Sequence, residues 1–496
     1  MKSTVQVDNL EVTLRGRLAQ REYQGRLRHL DAPIPGVVDF SSNDYLSFSQ
    51  NLILRKALIT QLGVSSEKTP LASSNGRALG SGGSRLLDGN SAFVEQLERK
   101  ISEFHRSEAA LLFTSAYDAN VGLISCVPGA EDVILYDNLI HASIHDGMRL
   151  SRATRKISFA HESIIRRVRE SEVDLKKNGG SMGVKDPKGL ESTLKQLIHS
   201  DERVRYGESN IFICLEALYS MDGDIADLQY VCDMIEYLLP NGNGYIIVDE
   251  AHSVGVLGDG RGLVCQLGLQ DRIWARVVGF GKAIGCAGGW FINVQLLWFF
   301  LLTTIFLTLG GILCSSIARL YLINYARTLI YTTSMSFPSL ASISAVYDYL
   351  ISGEAEKHQQ QLQILIQHCH VKLRSLYVRF KSGAAGLSVP DCASSSPIIP
   401  IFTRYPKSLA RHCQTSGFMV RPIVAPTVPH GQERVRICIH AANTIEQIDS
   451  LCQSIETWLR YLGTMQAADT RGKSQIGDAA EAVLATGLRE KLEPKL

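Results

Sequence analysis

The chain has 496 residues, 45% hydrophobic and 20% charged, with a formal net charge of +2. These totals suit a globular protein of two or three domains and give no basic field for nucleic acid or for an anionic membrane. The 11 cysteines include no C-x-x-C pair and no secretory signal precedes them, so free buried thiols in a reducing compartment are expected rather than a disulfide framework or a metal site.

In chain order, residues 1–30 alternate Arg with Leu (Leu14-Arg15, Arg17-Leu18, Arg26-Leu27-Arg28) and read as an amphipathic helix. Asp8, Glu11 and Glu22 argue against a transit peptide there. From about residue 90 to 285, short β-rich runs alternate with helical patterns. Strands are predicted at Ala109–Thr114, Asp132–Tyr136, Asn210–Leu215, Tyr245–Val248 and Arg276–Phe280, with helices such as Ser91–Phe104 and Ile225–Leu239 between them. This alternation predicts an α/β fold with a mostly parallel central sheet covered by helices. Lys176–Lys188 is rich in Gly, Lys and Asp and reads as a surface loop. Helical patterns at Leu340–Ile351 and Glu354–Phe380 lead into a smaller C-terminal α+β domain with strands near Ile398–Phe402, Phe418–Arg421 and Val435–Ile439. The expected division is 1–68 (N-terminal helix and arm), 69–334 (large domain), 335–462 (small domain) and 463–496 (polar tail).

Trp290–Gly310 breaks this pattern. It is mostly apolar, and no charge occurs between Lys282 and Arg319. Its length suits a transmembrane helix. Yet it begins shortly after Lys282, and its removal would join Gly288-Gly289 to Gly311-Ile-Leu-Cys-Ser-Ser. The simplest reading is a short intron translated in frame; a membrane or partner-binding helix and a buried insert are the alternatives. Membrane contact is expected only if the segment belongs to the working protein.

The chemistry-bearing residues cluster after predicted strands. Asp249 opens Asp-Glu-Ala-His-Ser-Val-Gly255 after the run Tyr245-Ile-Ile-Val248, and about thirty residues on Lys282 sits in Val278-Gly-Phe-Gly-Lys-Ala-Ile-Gly285. A lysine in a glycine-rich turn and a strand-end aspartate suit pyridoxal 5'-phosphate (PLP), whose aldehyde takes a lysine amine and whose ring needs a protonated nitrogen. Further motifs keep one order along the chain: Ser41-Ser-Asn-Asp-Tyr-Leu46, Gly80-Ser-Gly-Gly-Ser-Arg85, Phe113–Asn120, Asp137-Asn-Leu-Ile-His-Ala-Ser143, Glu216–Asp224, Tyr331-Thr-Thr333, Ala425–Gly431 and Arg434-Val-Arg436.

Together these motifs resemble the α-oxoamine synthases, fold-type I PLP-dependent enzymes that condense an amino acid with an acyl thioester. The resemblance spans about residues 14 to 460. It implies that Lys282 forms the Schiff base and later moves the substrate proton. It implies that Asp249 pairs with the pyridine nitrogen, His252 meets the phenolic oxygen and His141 stacks on the ring. Ala116 and Tyr117 would donate backbone N–H groups to the phosphate, Ser220 would bond the cofactor, and Thr332 and Thr333 would reach the phosphate of a neighbouring subunit in a homodimer. Arg28, Asn43, His141, Thr427 and Arg436 match substrate-contacting positions, with Arg434 the rival of Arg436 for the amino-acid carboxylate. Three departures stand out: Ile140 and Ala116 replace the usual Asn and Gly, and Gly279 replaces a Thr whose hydroxyl reaches the phosphate. The resemblance favours L-alanine and an acyl-CoA such as pimeloyl-CoA as substrates, with no metal. A polyketide or fatty acyl thioester is the alternative within the enzyme class, and a membrane-anchored non-catalytic subunit is the alternative outside it. The terminal Pro494-Lys-Leu496 is a variant of the Ser-Lys-Leu address, so a peroxisome, or otherwise the cytoplasm, is the expected location.

Overall fold

The computed structural model describes residues 9–24, 27, 30, 35–63, 79–165, 189–286, 310–380, 386–391, 395–425 and 427–469. Arg28, the Lys176–Lys188 stretch, the apolar segment up to residue 309 and the chain beyond 469 lie outside these residues. Two compact units separate at residue 37. The first holds the helix Asn9–Tyr23, which has no buried residue; the second holds everything that follows.

A seven-stranded sheet dominates the second unit. Its strands are β2 (Ala109–Phe113), β3 (Val133–Asp137), β4 (Arg155–Phe159), β5 (Ile211–Glu216), β6 (Gly244–Asp249), β7 (Ala275–Gly279) and β8 (Gly310–Cys314). Their order is β2-β8-β7-β6-β5-β3-β4. All neighbours run parallel except β8, which is antiparallel to both β2 and β7. Strands β2, β5 and β7 are buried along their whole length, as helices covering both faces require. The helix Ala92–Phe104 shows how those helices are fixed. Ser91 caps its N-terminus by accepting from the Val94 amide, and Val94, Leu97, Ile101 and Phe104 form its buried stripe.

β4 and β8 escaped the sequence reading. In β4 only Phe159 is fully buried, because it is an edge strand with alternating exposure. β8 is Gly-Gly-Ile-Leu-Cys and merges in sequence with the apolar run before it. Its first residue, Gly310, pairs with Gly279 on one side and Phe113 on the other. The Cys286 amide donates to the Phe280 carbonyl at 2.9 Å. The described residues that flank 287–309 are therefore both held beside the end of β7. Among the described residues no helix is long and apolar enough to cross a membrane.

A three-stranded sheet, β11-β12-β9, is antiparallel and consists of β9 (Ile398–Phe402), β11 (Arg421–Ile423) and β12 (Arg434–Cys438). The predicted strand Phe418–Arg421 is in fact two. β10 (Phe418–Met419) pairs in parallel with β1 (Val38–Asp39), and the chain changes sheets at the buried Val420 before β11. The last helix, Ile445–Asp469, runs past the expected domain end at 462.

Candidate active site

Strands β3, β5, β6 and β7 all end at one edge, and the acids Asp137, Glu216 and Asp249 are the last residues of the first three. Ligands of open α/β sheets sit beyond such carboxyl ends. Glu216 and Asp249 are direct neighbours across β5 and β6. Asp249 accepts from Asn120 Nδ2 at 2.7 Å and from the Ala251 amide at 2.9 Å, which fixes its carboxylate. Asn120 Nδ2 also reaches Ser143 Oγ at 3.0 Å.

After β7 the chain turns at Phe280–Cys286, closed by the Gly285 amide donating to the Lys282 carbonyl at 2.9 Å. Gly285 has φ +67° and a Cβ there would meet the Ser49 amide at 2.8 Å, so only glycine makes this turn without strain. Lys282 is half-buried, keeping an accessible face. Desolvation pushes its amine below the usual lysine value and the Arg436 charge adds to this, while Asp249 and Glu216 oppose it. A lysine so placed supplies a neutral, nucleophilic amine more readily than a solvated one. Burial, then the Asp249 charge, raises the Glu216 carboxyl well above the carboxylate range, with Lys282 opposing.

His252 follows Asp249 and is buried. Its Nδ1 lies 2.8 Å from the hydroxyl of Tyr45, itself fully buried. Burial holds the ring well below the usual histidine value, and the Lys282, Arg436 and His141 charges add to it. His141 caps the helix Ala142–Leu150, and its Nδ1 lies 2.8 Å from Ser143 Oγ. His141 is exposed, and its ring meets Tyr117 edge-on at 6.4 Å between centroids. Ala116 and Tyr117 open the helix Ala116–Cys126, where Ser115 Oγ accepts from the Asp118 amide. The first amides of a helix have no partner within it and carry its positive dipole end. The Tyr117 hydroxyl bonds Asp146.

Two arginines on β12 differ sharply. Arg434 is 1% exposed, pairs with Asp222 and lies 4.6 Å from the Phe402 ring centre. Arg436 is half-buried and donates to the carbonyls of Ser220 at 3.0 Å and Ser41 at 3.3 Å and to Asn43 Oδ1 at 3.4 Å, while its buried Nε has no partner. Ser220 thus enters through its backbone. Its loop is anchored from below: His161 bridges Asp137 Oδ2 at 2.9 Å and Asp224 Oδ2 at 3.3 Å, and the Tyr219 hydroxyl donates to Asp137 at 2.8 Å. Burial works against the charged ring, but the bonds to Asp137 and Asp224 prevail and push His161 up to about 9.

Lys282, Asp249, His252, His141 and Arg436 are therefore brought together, with Asn43 on Arg436 and Ala116 beside the start of β8. Thr332 lines a small cavity with Arg85, Phe113 and Thr114. Thr333 and Thr427 are exposed. No described contact ties these three threonines to Lys282, and Arg28 lies outside the described residues. Three residues at the site had no assigned role from the sequence: Asn120, Glu216 and Tyr45. Glu216 had a signal, because it ends a strand just as Asp249 does. Gly279 has a steric reason. A Cβ there would sit 2.9 Å from Ala251 Cβ, so a threonine has no room unless Ala251 moves.

The residues present fit PLP. Lys282 can hold its aldehyde carbon, Asp249 its ring nitrogen, the exposed His141 its ring and the helix start at Ala116 its phosphate. Asn120 Oδ1 and Arg436 Nε are buried polar atoms left without partners in the chain alone.

Residues 35–455 match the family model described as aminotransferase class I and II. The chain is 41% identical over 466 residues to an 8-amino-7-oxononanoate synthase from Emericella nidulans, covering 92% of this chain and 98% of that protein. It is 31% identical to the aminoacyl transferase sphA of Aspergillus fumigatus, covering 90% and 86%. Among solved structures, a serine palmitoyltransferase from S. paucimobilis superposes with TM-score 0.69 at 20% identity, covering 92% of this chain and 100% of that one. An 8-amino-7-oxononanoate synthase from Francisella tularensis gives TM-score 0.59 at 22% identity, covering 86% and 99%. At those identities the two structures speak for the fold alone.

Proposed function

The chain belongs to the α-oxoamine synthases, PLP-dependent acyltransferases of the aminotransferase class I and II family, and from that premise we propose that it condenses L-alanine with pimeloyl-CoA, releasing 8-amino-7-oxononanoate, CoA and CO2. The relative at 41% identity supports this choice of substrates. The observation that carries the reading is the combination of a half-buried lysine that feels a fixed aspartate with an arginine whose Nε has no partner.

When bound, PLP withdraws electrons from the substrate α-carbon. The chain's own residues do the rest. Lys282 takes the α-proton and later returns one, which its lowered pKa favours. Asp249, held by Asn120 and Ala251, keeps a proton on the ring nitrogen. Arg436 receives the amino-acid carboxylate, a charge-assisted contact that sets which α-bond faces Lys282. The resemblance also supports a homodimer in which Thr332 and Thr333 serve the partner's phosphate, and the terminal Pro-Lys-Leu supports a peroxisomal location. A green fluorescent fusion at the N-terminus that stays cytosolic would remove the latter.

The likeness to an aminoacyl transferase supports a second reading, a polyketide or fatty acyl thioester in place of pimeloyl-CoA. A turnover matrix decides between them: alanine, serine and glycine against pimeloyl-CoA, palmitoyl-CoA and shorter acyl-CoAs, following thiol release and CO2. The first reading expects the highest kcat/KM for alanine with pimeloyl-CoA. Preference for serine with palmitoyl-CoA would replace it, and no turnover with PLP bound would favour a non-catalytic subunit.

A further inference from the structure

The Tyr45 hydroxyl has two neighbours, His252 Nδ1 at 2.8 Å and Asn43 Oδ1 at 3.2 Å. Asn43 Oδ1 is also reached by Arg436 at 3.4 Å. A line of hydrogen-bonding groups thus runs from the arginine proposed for the substrate carboxylate to the histidine proposed for the phenolic oxygen of PLP.

Tyr45 has one proton to give. Burial raises the phenol well above its ordinary value, so it stays protonated. His252 is neutral for the reasons given above, so it carries one N–H, on Nδ1 or on Nε2. The groups facing that ring are Tyr45, Lys282, Arg436 and His141. None of these is an acid that would favour a second proton. Asn43 Oδ1 only accepts, and the Tyr45 hydroxyl donates to it at 3.2 Å. The 2.8 Å contact at Nδ1 pins the His252 ring and leaves Nε2, for which the described residues supply no partner.

Resting on the PLP reading, we propose that Tyr45 is a positioning residue whose hydroxyl pins the His252 ring through Nδ1, so that Nε2 is the atom that meets the phenolic oxygen of the cofactor. The rest of Tyr45 has a separate structural task. Its carbonyl accepts from the Ala441 amide at 2.7 Å and its amide donates to the Asn43 carbonyl at 2.9 Å. Tyr45→Phe keeps that backbone and ring packing and removes only the hydroxyl.

The test uses PLP-loaded enzyme and reads the visible absorbance of the cofactor against pH in wild type, Tyr45→Phe, His252→Ala and the double variant, with thermal melting alongside. Lys282→Ala serves as the control for the underlying reading, since it must lose the lysine-dependent band whatever Tyr45 does. Tyr45→Phe should keep the band and the melting temperature. It should move the titration midpoint by about 0.5–1 pH unit, the size of one hydrogen bond to a charged or polar partner, in the direction that His252→Ala moves it. The double variant should match His252→Ala. A wild-type midpoint in Tyr45→Phe, or a double variant whose shift is the sum of the two singles, would overturn the proposal while leaving the PLP reading intact.

Discussion

The carboxyl edge of the seven-stranded sheet and the β12 edge of the small sheet both present charged groups to the same site, and they are built in opposite ways. At the first, Asp249 is oriented by Asn120 and Ala251, and Glu216 is buried beside it. Burying ionisable groups together costs free energy, and that cost shifts the amine of Lys282. At the second, Arg434 is consumed by Asp222 while Arg436, two residues on, binds carbonyls and keeps an unpartnered Nε. One edge holds its charged groups in place within the chain. The other leaves one arginine incompletely paired, as the proposed contact with the substrate carboxylate requires.

The largest effect should come from breaking the first edge. Lys282→Ala should abolish turnover and the lysine-linked cofactor absorbance. Asp249→Asn, an isosteric change, should keep the fold by circular dichroism but lower kcat about 10²–10⁴-fold, the range for losing a group that manages a proton. Full activity of either variant would show that the edge serves structure alone.

The two arginines separate next. Arg436→Ala should raise the KM for the amino acid about 10–100-fold, matching the loss of a hydrogen bond to a charged group, with cofactor absorbance unchanged. Arg434→Ala should instead remove the buried guanidinium that pairs the half-buried Asp222 and lower stability by about 3 kcal/mol in denaturant unfolding. Equal KM effects would mean that the comparison between them is wrong.

A smaller effect is expected from the anchor beneath Ser220. His161 has a folded pKa of about 9, above its unfolded value of about 6.5. Its contribution is therefore complete below about pH 6.5 and is lost as pH rises through about 9. Melting temperature should fall across that window in the wild type, and His161→Gln should be less stable at pH 6 with a flatter profile. Parallel profiles would remove His161 from the account.

The smallest effect should follow the largest change of sequence. Deleting Trp290–Gly310 puts Gly289 where Gly310 now starts β8. That position demands glycine, since a Cβ there would lie 2.2 Å from the Ala116 amide nitrogen. With Cys286 and Gly310 both held beside the end of β7, the shortened chain should retain cofactor binding and turnover, assayed beside the full chain. Activity only when the segment is present would make it a working part of the protein.

Much of this was legible in the sequence because hydrophobic strands that end in acids are local signals. Asp249, His252 and Lys282 lie within a few residues of predicted strand ends and meet where the rule for parallel sheets places them. What was hidden depends on pairing across the chain. β8 became visible only through its neighbours β2 and β7. The roles of Arg434 and Arg436, equivalent as a pattern, were separated by a loop more than two hundred positions away. Asn120 and Tyr45 act through partners far off in sequence, so no spacing announces them. Gly279 reads as a lost hydroxyl until Ala251 is seen against it.

The central claim is that Lys282 is the residue that holds the cofactor. Borohydride reduction of PLP-loaded protein, followed by proteolysis and mass spectrometry of the peptides, tests it in one step. The account predicts a phosphopyridoxyl group on Lys282 and on no other lysine in stoichiometric amount. A stoichiometric label on a different lysine, or none on Lys282 in protein that turns over, would contradict it.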